Sequence, residues 1–170
     1  MESKMKLFGH PIHPMLVAIP LGLFITAILF DTIGLFVKNP VFGPLAFYDI
    51  SVAIVGGLLA AVFGFADWLS IHGNTRAKQI GAWHGIGNVT LVLLFAVSWF
   101  FRLTDTGFAP SVLALVFSYA GIVLGSVTAW LGGELVFRLG VGPDRDAGLN
   151  APNSLTEQGS KTAGNLALHK

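Results

Sequence analysis

The stretch "PMLVAIPLGLFITAILFDTIGLFV", residues 14–37, is apolar along almost its whole length and contains a single charged side chain, Asp31. A helix needs roughly 20 mostly apolar residues to cross the hydrocarbon core of a bilayer. Three further runs of this kind follow, at about residues 48–70, 84–102 and 109–138. The sequence therefore predicts four transmembrane helices, of which the first covers about residues 11–37.

Composition places the chain among membrane proteins. Of its 170 residues, 54% are hydrophobic and only 11% are charged, and the mean hydropathy is +0.72. Soluble domains carry about 25% charged residues. The net charge of +1 and the lack of a basic stripe argue against a nucleic-acid partner. The absence of cysteine excludes disulfides, thiolate metal ligands and thiol catalysis.

Short loops between the four runs predict an all-α, up-down-up-down bundle with both termini on one side. Residues 1–140 form this transmembrane domain, and residues 141–170 are typical of a flexible polar tail. Eight of the ten lysines and arginines fall on the side of the termini. By the positive-inside rule that side is cytoplasmic, which predicts a multi-pass protein of the cytoplasmic membrane.

Small residues repeat at four-residue spacing in the second and fourth helices. They are Gly56, Ala60 and Gly64, and Gly121, Gly125, Ala129 and Gly133. Such stripes let helix backbones approach closely in lipid. We expect tight packing within the chain, with a homo-oligomer formed through the stripes as the alternative. A weak internal repeat of two hairpins is also visible, each with a histidine near its start and Trp-Leu near its end.

Several polar residues fall at the end of the bundle where the termini lie. They are His10, His13, Asp67, His72, His84, Glu134 and Arg138, and they include four of the five histidines. Histidines near helix ends are often interfacial anchors. Asp67 and Glu134, however, lie about a turn inside their helices, where ionisable groups usually face the bundle interior. Glu134 could instead form an ion pair with Arg138, four residues further on.

Two kinds of ligand fit this set of residues. Haem b could bind between the first and third helices with His13 and His84 as axial ligands, and with His10 or His72 as substitutes. Asn88, four residues after His84, could hold that site in place by hydrogen bonding. Alternatively, a transition-metal ion (zinc, iron or copper) could be bound by imidazole and carboxylate groups, drawn from His10, His13, Asp67, His84 and Glu134.

Near the opposite end of the bundle, Asp31 in the first helix is expected to pair with Arg102 at the end of the third. This pair is more typical of a structural contact than of a catalytic site. An aqueous path between the two ends of the bundle would make Asp31 a candidate proton relay. No nucleophile elbow, phosphate loop or dinucleotide fingerprint is present in the sequence.

Motifs spread over residues 8–142 resemble an uncharacterised bacterial family of four-helix membrane proteins, marked by a His-Pro-x-His-Pro motif before the first helix. The matching stretches are "GHPIHPMLVAIPLGLF", "FADWLSI", "WHGIGN" and "WLGGELVFRLGVGP". Members of that family are sometimes joined to Rieske-type domains, so the resemblance implies redox work at the membrane. Its motif positions map onto His10, Pro11, His13, Pro14, Asp67, Trp68, His84, Gly85, Gly132, Gly133 and Glu134.

The leading hypothesis is a membrane redox protein that binds haem b, or failing that a metal ion, and exchanges electrons with a partner protein. A second hypothesis is a small transporter or channel in which the histidines, Asp67 and Glu134 gate protons or cations. A third is a non-catalytic structural subunit of the membrane whose histidines are interfacial anchors.

Overall fold

The computed structural model describes residues 1–144 and 147–155 and is predominantly helical. A two-stranded hairpin, β1 (Lys6–Leu7) and β2 (His10–Pro11), precedes the four long helices. These helices are α1 (Ile12–Val37), α2 (Phe42–Ser70), α3 (Arg76–Arg102) and α4 (Val112–Gly133). A π-helical turn, Glu134–Arg138, extends α4. All four helices are long and apolar enough to cross a membrane, which confirms the predicted all-α bundle.

Two helices begin earlier than the apolar runs predict. Helix α2 begins at Phe42, and its first turn includes Pro44, where the missing N–H of proline would have had no partner. Helix α3 begins at Arg76, because the side chain of Thr75 accepts a hydrogen bond of 3.1 Å from the N–H of Lys78. Hydropathy does not predict either start, because glycine and proline interrupt the apolar run at the start of α2 and polar residues occupy the first turns of α3.

The helices pack as two hairpins, α1 against α2 and α3 against α4, and the hairpins meet along α2 and α3. The core lies where Phe24 of α1 stacks on Phe95 of α3, with ring centroids 4.0 Å apart. The stripe of α2, and Gly121 and Gly125 of the α4 stripe, face neighbouring helices of the same chain, whereas Ala129 is exposed and Gly133 meets only Phe137. A Cβ at Gly121 would lie 2.8 Å from the Phe95 ring, and one at Gly56 would lie 3.3 Å from Pro20. These close approaches are the tight packing within the chain that the stripes predict.

The two hairpins are structural repeats. Asp31 and Arg102 contact each other and are 71 residues apart. The same separation relates two other pairs in contact across the α1–α3 interface, Phe24 with Phe95 and His13 with His84. Because α1 and α3 run in the same direction, contacts between equivalent residues imply an approximate two-fold axis parallel to the helices.

Buried positions of α2 and α4 repeat in the same order, at a constant separation of 68 rather than 71 residues: Ala46 with Ala114, Ile50 with Ser118, Ala53 with Gly121, and Ala60 with Thr128. The repeat expected from the sequence is therefore present, and His13 and His84 are equivalent in it. The Trp-Leu match is wrong. Since Gly64 is equivalent to Gly132, the counterpart of Trp68 is Val136 rather than Trp130.

The N-terminus and the segment after α4 lie at the same end of the bundle. The Met1 ammonium donates to the carbonyl of Gly140, and the N–H of Gly142 donates to the carbonyl of Met1 at 2.7 Å. In the segment predicted to be a flexible tail, Ser154 donates to the carbonyl of Phe8 at 3.2 Å. Residues 145–146 and 156–170 of that segment lie outside the described residues.

Candidate functional site: a pair of equivalent histidines

His13 and His84 make the same hydrogen bond to the main chain of a neighbouring helix. Nδ1 of His13 lies 2.8 Å from the carbonyl oxygen of Ala60, and Nδ1 of His84 lies 2.9 Å from that of Thr128. A carbonyl oxygen can only accept, so Nδ1 is the protonated nitrogen of each ring. In the neutral ring, Nε2 then carries a lone pair and no proton, which is the form that binds a metal ion.

A glycine notch holds each imidazole ring against its partner helix. A Cβ at Gly64 would lie 2.8 Å from Cε1 of His13, and one at Gly132 would lie 3.0 Å from Cε1 of His84. Each glycine follows the carbonyl acceptor by four residues, about one helical turn, so acceptor and notch share one helix face. Larger residues in these notches would push the rings away from their acceptors.

The two rings lie on either side of the two-fold axis in a T-shaped arrangement. Their centroids are 6.4 Å apart and their planes are inclined at 89°. Two imidazoles bound to one metal ion at about 2 Å each, with roughly 1 Å from each nitrogen to its ring centre, would place the centroids about 6 Å apart. His13 and His84 would be the residues to hold a metal between them, since their ring separation is close to this value.

Asn88 breaks the symmetry of the pair. Its Nδ2 lies 3.1 Å from Nε2 of His84 and also donates to the His84 carbonyl at 2.9 Å. Its Oδ1 accepts from the Thr128 hydroxyl at 3.0 Å, which fixes the orientation of the amide. The position equivalent to Asn88 in the first hairpin is Val17, and the one equivalent to Thr128 is Ala60. His13 therefore has neither group beside it.

The remaining histidines of the predicted site are exposed. His10 lies in β2, and His72 lies in the loop after α2, where its carbonyl accepts from the Thr75 hydroxyl at 2.8 Å. Neither is among the described ring contacts of His13 and His84. The structure thus brings together His13, His84 and Asn88 out of the residues assigned to the haem site.

The two carboxylates of the alternative metal site have other partners. Asp67 accepts a hydrogen bond of 2.7 Å from the hydroxyl of Ser3. Glu134 forms an ion pair of 2.6 Å with Arg76 of α3, and not with Arg138, which the sequence offered as the alternative partner. Within residues 1–144 and 147–155, no three His, Cys, Asp or Glu side chains are grouped closely enough to hold a metal ion.

At the opposite end of the bundle, Asp31 and Arg102 form the expected ion pair. Nη1 and Nη2 of the guanidinium lie 2.9 and 2.5 Å from the two carboxylate oxygens, and both side chains are almost fully buried. The pair occupies equivalent positions of the two repeats, on the same axis as the histidines. It is a buried ion pair that joins the hairpins at that end, together with the hydrogen bonds of Thr32 with Tyr119 and of Trp99 with Ser51.

Charged contacts hold the N-terminal segment at the end of the bundle where the histidines lie. Lys6 pairs with Glu2 and with Asp144, beyond α4. Burial lowers the pKa of the Lys6 ammonium, but the hydrogen bonds and attraction of the two carboxylates outweigh it, so the pKa lies above its usual value. These contacts tie the N-terminus to the end of the fourth helix.

Sequence patterns missed the groups that hold the histidines. The carbonyls of Ala60 and Thr128 carry no signature in a sequence, because every residue has one. Gly64 and Gly132 could have been found: the first belongs to a small-residue stripe and the second to a motif of the resembled family. What the stripes do not indicate is that a ring, rather than a helix backbone, fills the space.

Fold and site together define a class: a multi-pass membrane protein with two repeated hairpins and a pair of equivalent histidines near one end. The chain belongs to the family described as "Predicted membrane protein (DUF2231)", which matches residues 9–145. This match confirms the resemblance to an uncharacterised membrane family. Comparison with curated proteins and with solved structures finds no match.

Proposed function

We propose that this protein is a redox protein of the bacterial cytoplasmic membrane, with both termini in the cytoplasm. It binds haem b between α1 and α3, with Nε2 of His13 and of His84 as axial ligands, and exchanges electrons with a partner protein. One observation carries the proposal: two equivalent imidazoles donate Nδ1–H to main-chain carbonyls, and their ring centroids lie 6.4 Å apart.

The hydrogen bonds to the carbonyls are those expected of metal ligands. Histidines that bind metals almost always donate their other ring N–H to a carbonyl or carboxylate, which fixes the tautomer and makes Nε2 a stronger donor to the metal. In this chain the acceptors come from α2 and α4, so each hairpin orients its own ligand. Bound haem supplies one-electron oxidation and reduction.

Ligand number favours haem over a bare metal ion. A zinc site takes three or four protein ligands, and the described residues offer no group of three. Haem needs only two, because the porphyrin supplies the other four nitrogens. Asp67 and Glu134, which a bare ion would need, bond to Ser3 and Arg76 instead.

The test is the absorption spectrum of the protein, expressed with haem precursors and purified in mild detergent. We expect a Soret band, a six-coordinate low-spin spectrum and about one haem per chain. His13→Ala and His84→Ala should each lose the six-coordinate spectrum. The matched control His72→Ala should keep it, because His72 is exposed and outside the pair.

Two outcomes would contradict this proposal. One is a wild-type protein without a Soret band, and the other is a loss of the six-coordinate spectrum in His72→Ala equal to that in His13→Ala. Elemental analysis of the same samples separates the alternatives: zinc or copper at one equivalent, removed by the His13 and His84 variants, would identify a bare metal site.

A second candidate function is proton or cation transport along the α1–α3 interface. One observation favours it: polar pairs lie at both ends of that interface, His13 with His84 and Asp31 with Arg102, and the stacked Phe24–Phe95 pair lies between them. The two polar ends are about 27 Å apart along the helix, close to the thickness of the hydrocarbon core.

Transport can be measured as pH-dependent flux into proteoliposomes. If the phenylalanine pair closes the path, Phe95→Ala should raise the flux and His84→Ala should change its pH dependence. A flux that is indistinguishable from that of empty liposomes, in the wild type and in Phe95→Ala, would rule this candidate out. If the histidine variants alter neither spectrum nor flux, the histidines act only as contacts between helices.

A further inference from the structure

We propose that Asp49 of α2 is a proton-binding site that faces lipid at the seam between α1 and α2. Its carboxyl group carries a proton, which bonds to the hydroxyl of Thr26 and exchanges with water at the end of the bundle opposite the termini. This site is separate from the histidine pair and from the α1–α3 interface, and it does not rest on the proposed haem.

The first step concerns the position of Asp49. It lies seven residues after Phe42, the first residue of α2, which is about 10 Å along the helix. The residues before and after it in this span, 42–48 and 50–66, carry no charge. An ionisable side chain inside a membrane-spanning helix usually pairs with another group or marks a path for ions or protons.

The second step is that Asp49 has no counter-charge. None of the ion pairs formed by the described residues includes it. In the halves of α1, α2 and α3 that lie at this end of the bundle, the other ionisable side chains are Asp31, Tyr48 and Arg102. Asp31 and Arg102 bind each other through both carboxylate oxygens. A carboxylate left alone in apolar surroundings is costly, and taking up a proton removes that cost.

The third step concerns the hydrogen of the Thr26 hydroxyl. Oγ1 of Thr26 lies 2.6 Å from Oδ2 of Asp49 and 3.1 Å from the carbonyl oxygen of Leu23. A hydroxyl has one hydrogen to donate, and an ionised carboxylate and a carbonyl can both only accept. With a proton on Asp49, its O–H donates to Thr26 and the threonine donates to Leu23. Each of the two contacts then has a hydrogen of its own.

The fourth step concerns access to the carboxyl group. Oδ1 of Asp49 has no partner among the described hydrogen bonds, yet it is not one of the buried polar atoms that lack a partner. It therefore lies at the surface of the bundle, which agrees with the half-buried state of the residue. Leu45 and Val52, on the same face of α2, are 40% and 54% exposed. This face of the bundle meets lipid.

The fifth step is the comparison between the two hairpins. The position equivalent to Asp49 in the second hairpin is Phe117, and the one equivalent to Thr26 is Val97. The second hairpin thus forms the same interface between its helices without a polar pair. Since packing does not need the pair, its presence in the first hairpin favours a function for it.

The experiment is labelling of the protein in liposomes with the lipid-soluble reagent dicyclohexylcarbodiimide, followed by mass spectrometry of its peptides. A carboxyl oxygen bonds to the central carbon of the reagent and the carboxyl proton moves to one of its nitrogens, so the protonated acid is the form that reacts. We expect one adduct, at Asp49, which forms more slowly as the pH is raised. Asp49→Asn should carry no adduct. Asp105→Asn is the matched control and should keep it, because Asp105 is an exposed loop residue that accepts from the N–H of Gly107.

Infrared spectroscopy of the unlabelled protein gives a readout that does not depend on the reagent. We expect the carbonyl band of a protonated carboxyl group at neutral pH, shifted in heavy water, kept in Asp105→Asn and lost in Asp49→Asn. The Asp49→Asn variant should be as stable as the wild type, because its amide N–H can donate to Thr26 as the carboxyl O–H does.

Four outcomes would overturn the proposal. The band is absent from the wild type or does not shift in heavy water, or it persists in Asp49→Asn. The band is present but Asp49 takes up no carbodiimide, which would exclude its exposure to lipid. Sodium ions at constant pH protect Asp49 from the reagent, which would assign the site to a metal cation instead of a proton.

Discussion

Removing one partner of the buried Asp31–Arg102 pair should destabilise the protein more than any other single charge change at its described ion pairs. Both carboxylate oxygens bond to the guanidinium, and the side chains of Arg102 and Asp31 are 0% and 1% exposed. Asp31→Asn keeps the shape of the residue but leaves the guanidinium without a counter-charge. A cation buried in this way has no water to compensate it.

The expected loss follows from that burial. Breaking a buried ion pair from one side costs about 3–5 kcal/mol. A value of about 4 kcal/mol lowers the ratio of folded to unfolded protein roughly a thousandfold, because each 1.4 kcal/mol is a factor of ten. Exchanging the two residues, Asp31→Arg with Arg102→Asp, should recover more than half of this loss. The two positions are equivalent about the two-fold axis, so the exchanged charges meet at the same place.

Stability can be measured by unfolding the protein from mild detergent with increasing dodecyl sulfate, followed by tryptophan fluorescence. Arg76→Gln is the matched control. It breaks the Arg76–Glu134 pair, in which the arginine side chain is 57% exposed, and it should cost no more than about 1 kcal/mol. The reasoning is refuted if Asp31→Asn costs as little as this control, or if the exchanged double variant is no more stable than the weaker single variant.

Further variants probe the notch, a helix cap and the N-terminal contacts. Gly64→Ala should displace the His13 ring and lose the six-coordinate haem spectrum, whereas Gly22→Ala, with open space around it, should keep that spectrum. Thr75→Ala removes the cap of α3 and should cost about 1 kcal/mol in the same unfolding assay, and no change would argue against the cap. The pKa of Lys6 is raised in the folded state, so its contribution is fully present below the unfolded value of 10.5 and is lost as the pH rises through the folded value. A spin label in the N-terminal segment should therefore become more mobile in strongly alkaline buffer, and Lys6→Gln should abolish that pH dependence.

The sequence determines the number of spans and the end of the bundle at which the histidines gather. A bilayer requires about 20 apolar residues per crossing, and this requirement is local, so four runs predict four helices. In an up-down bundle, the first and third helices start at the same end of the bundle at which the second and fourth helices finish. Residues near those helix ends therefore lie on one side of the membrane. The Asp31–Arg102 pair could also be predicted, because ionisable groups within a membrane segment usually pair with one another.

Only the tertiary structure decides which polar residues belong together. Asp67 and Glu134 lie at the right end of the bundle, yet they bond to Ser3 and Arg76 rather than to the histidines. The tautomer of each ring depends on a main-chain carbonyl of another helix, and its position depends on a glycine notch one turn further along. Hydropathy and spacing describe each helix by itself. Which carbonyl and which notch a ring meets depends on how two helices cross and at what depth, and that is fixed only when the hairpins pack.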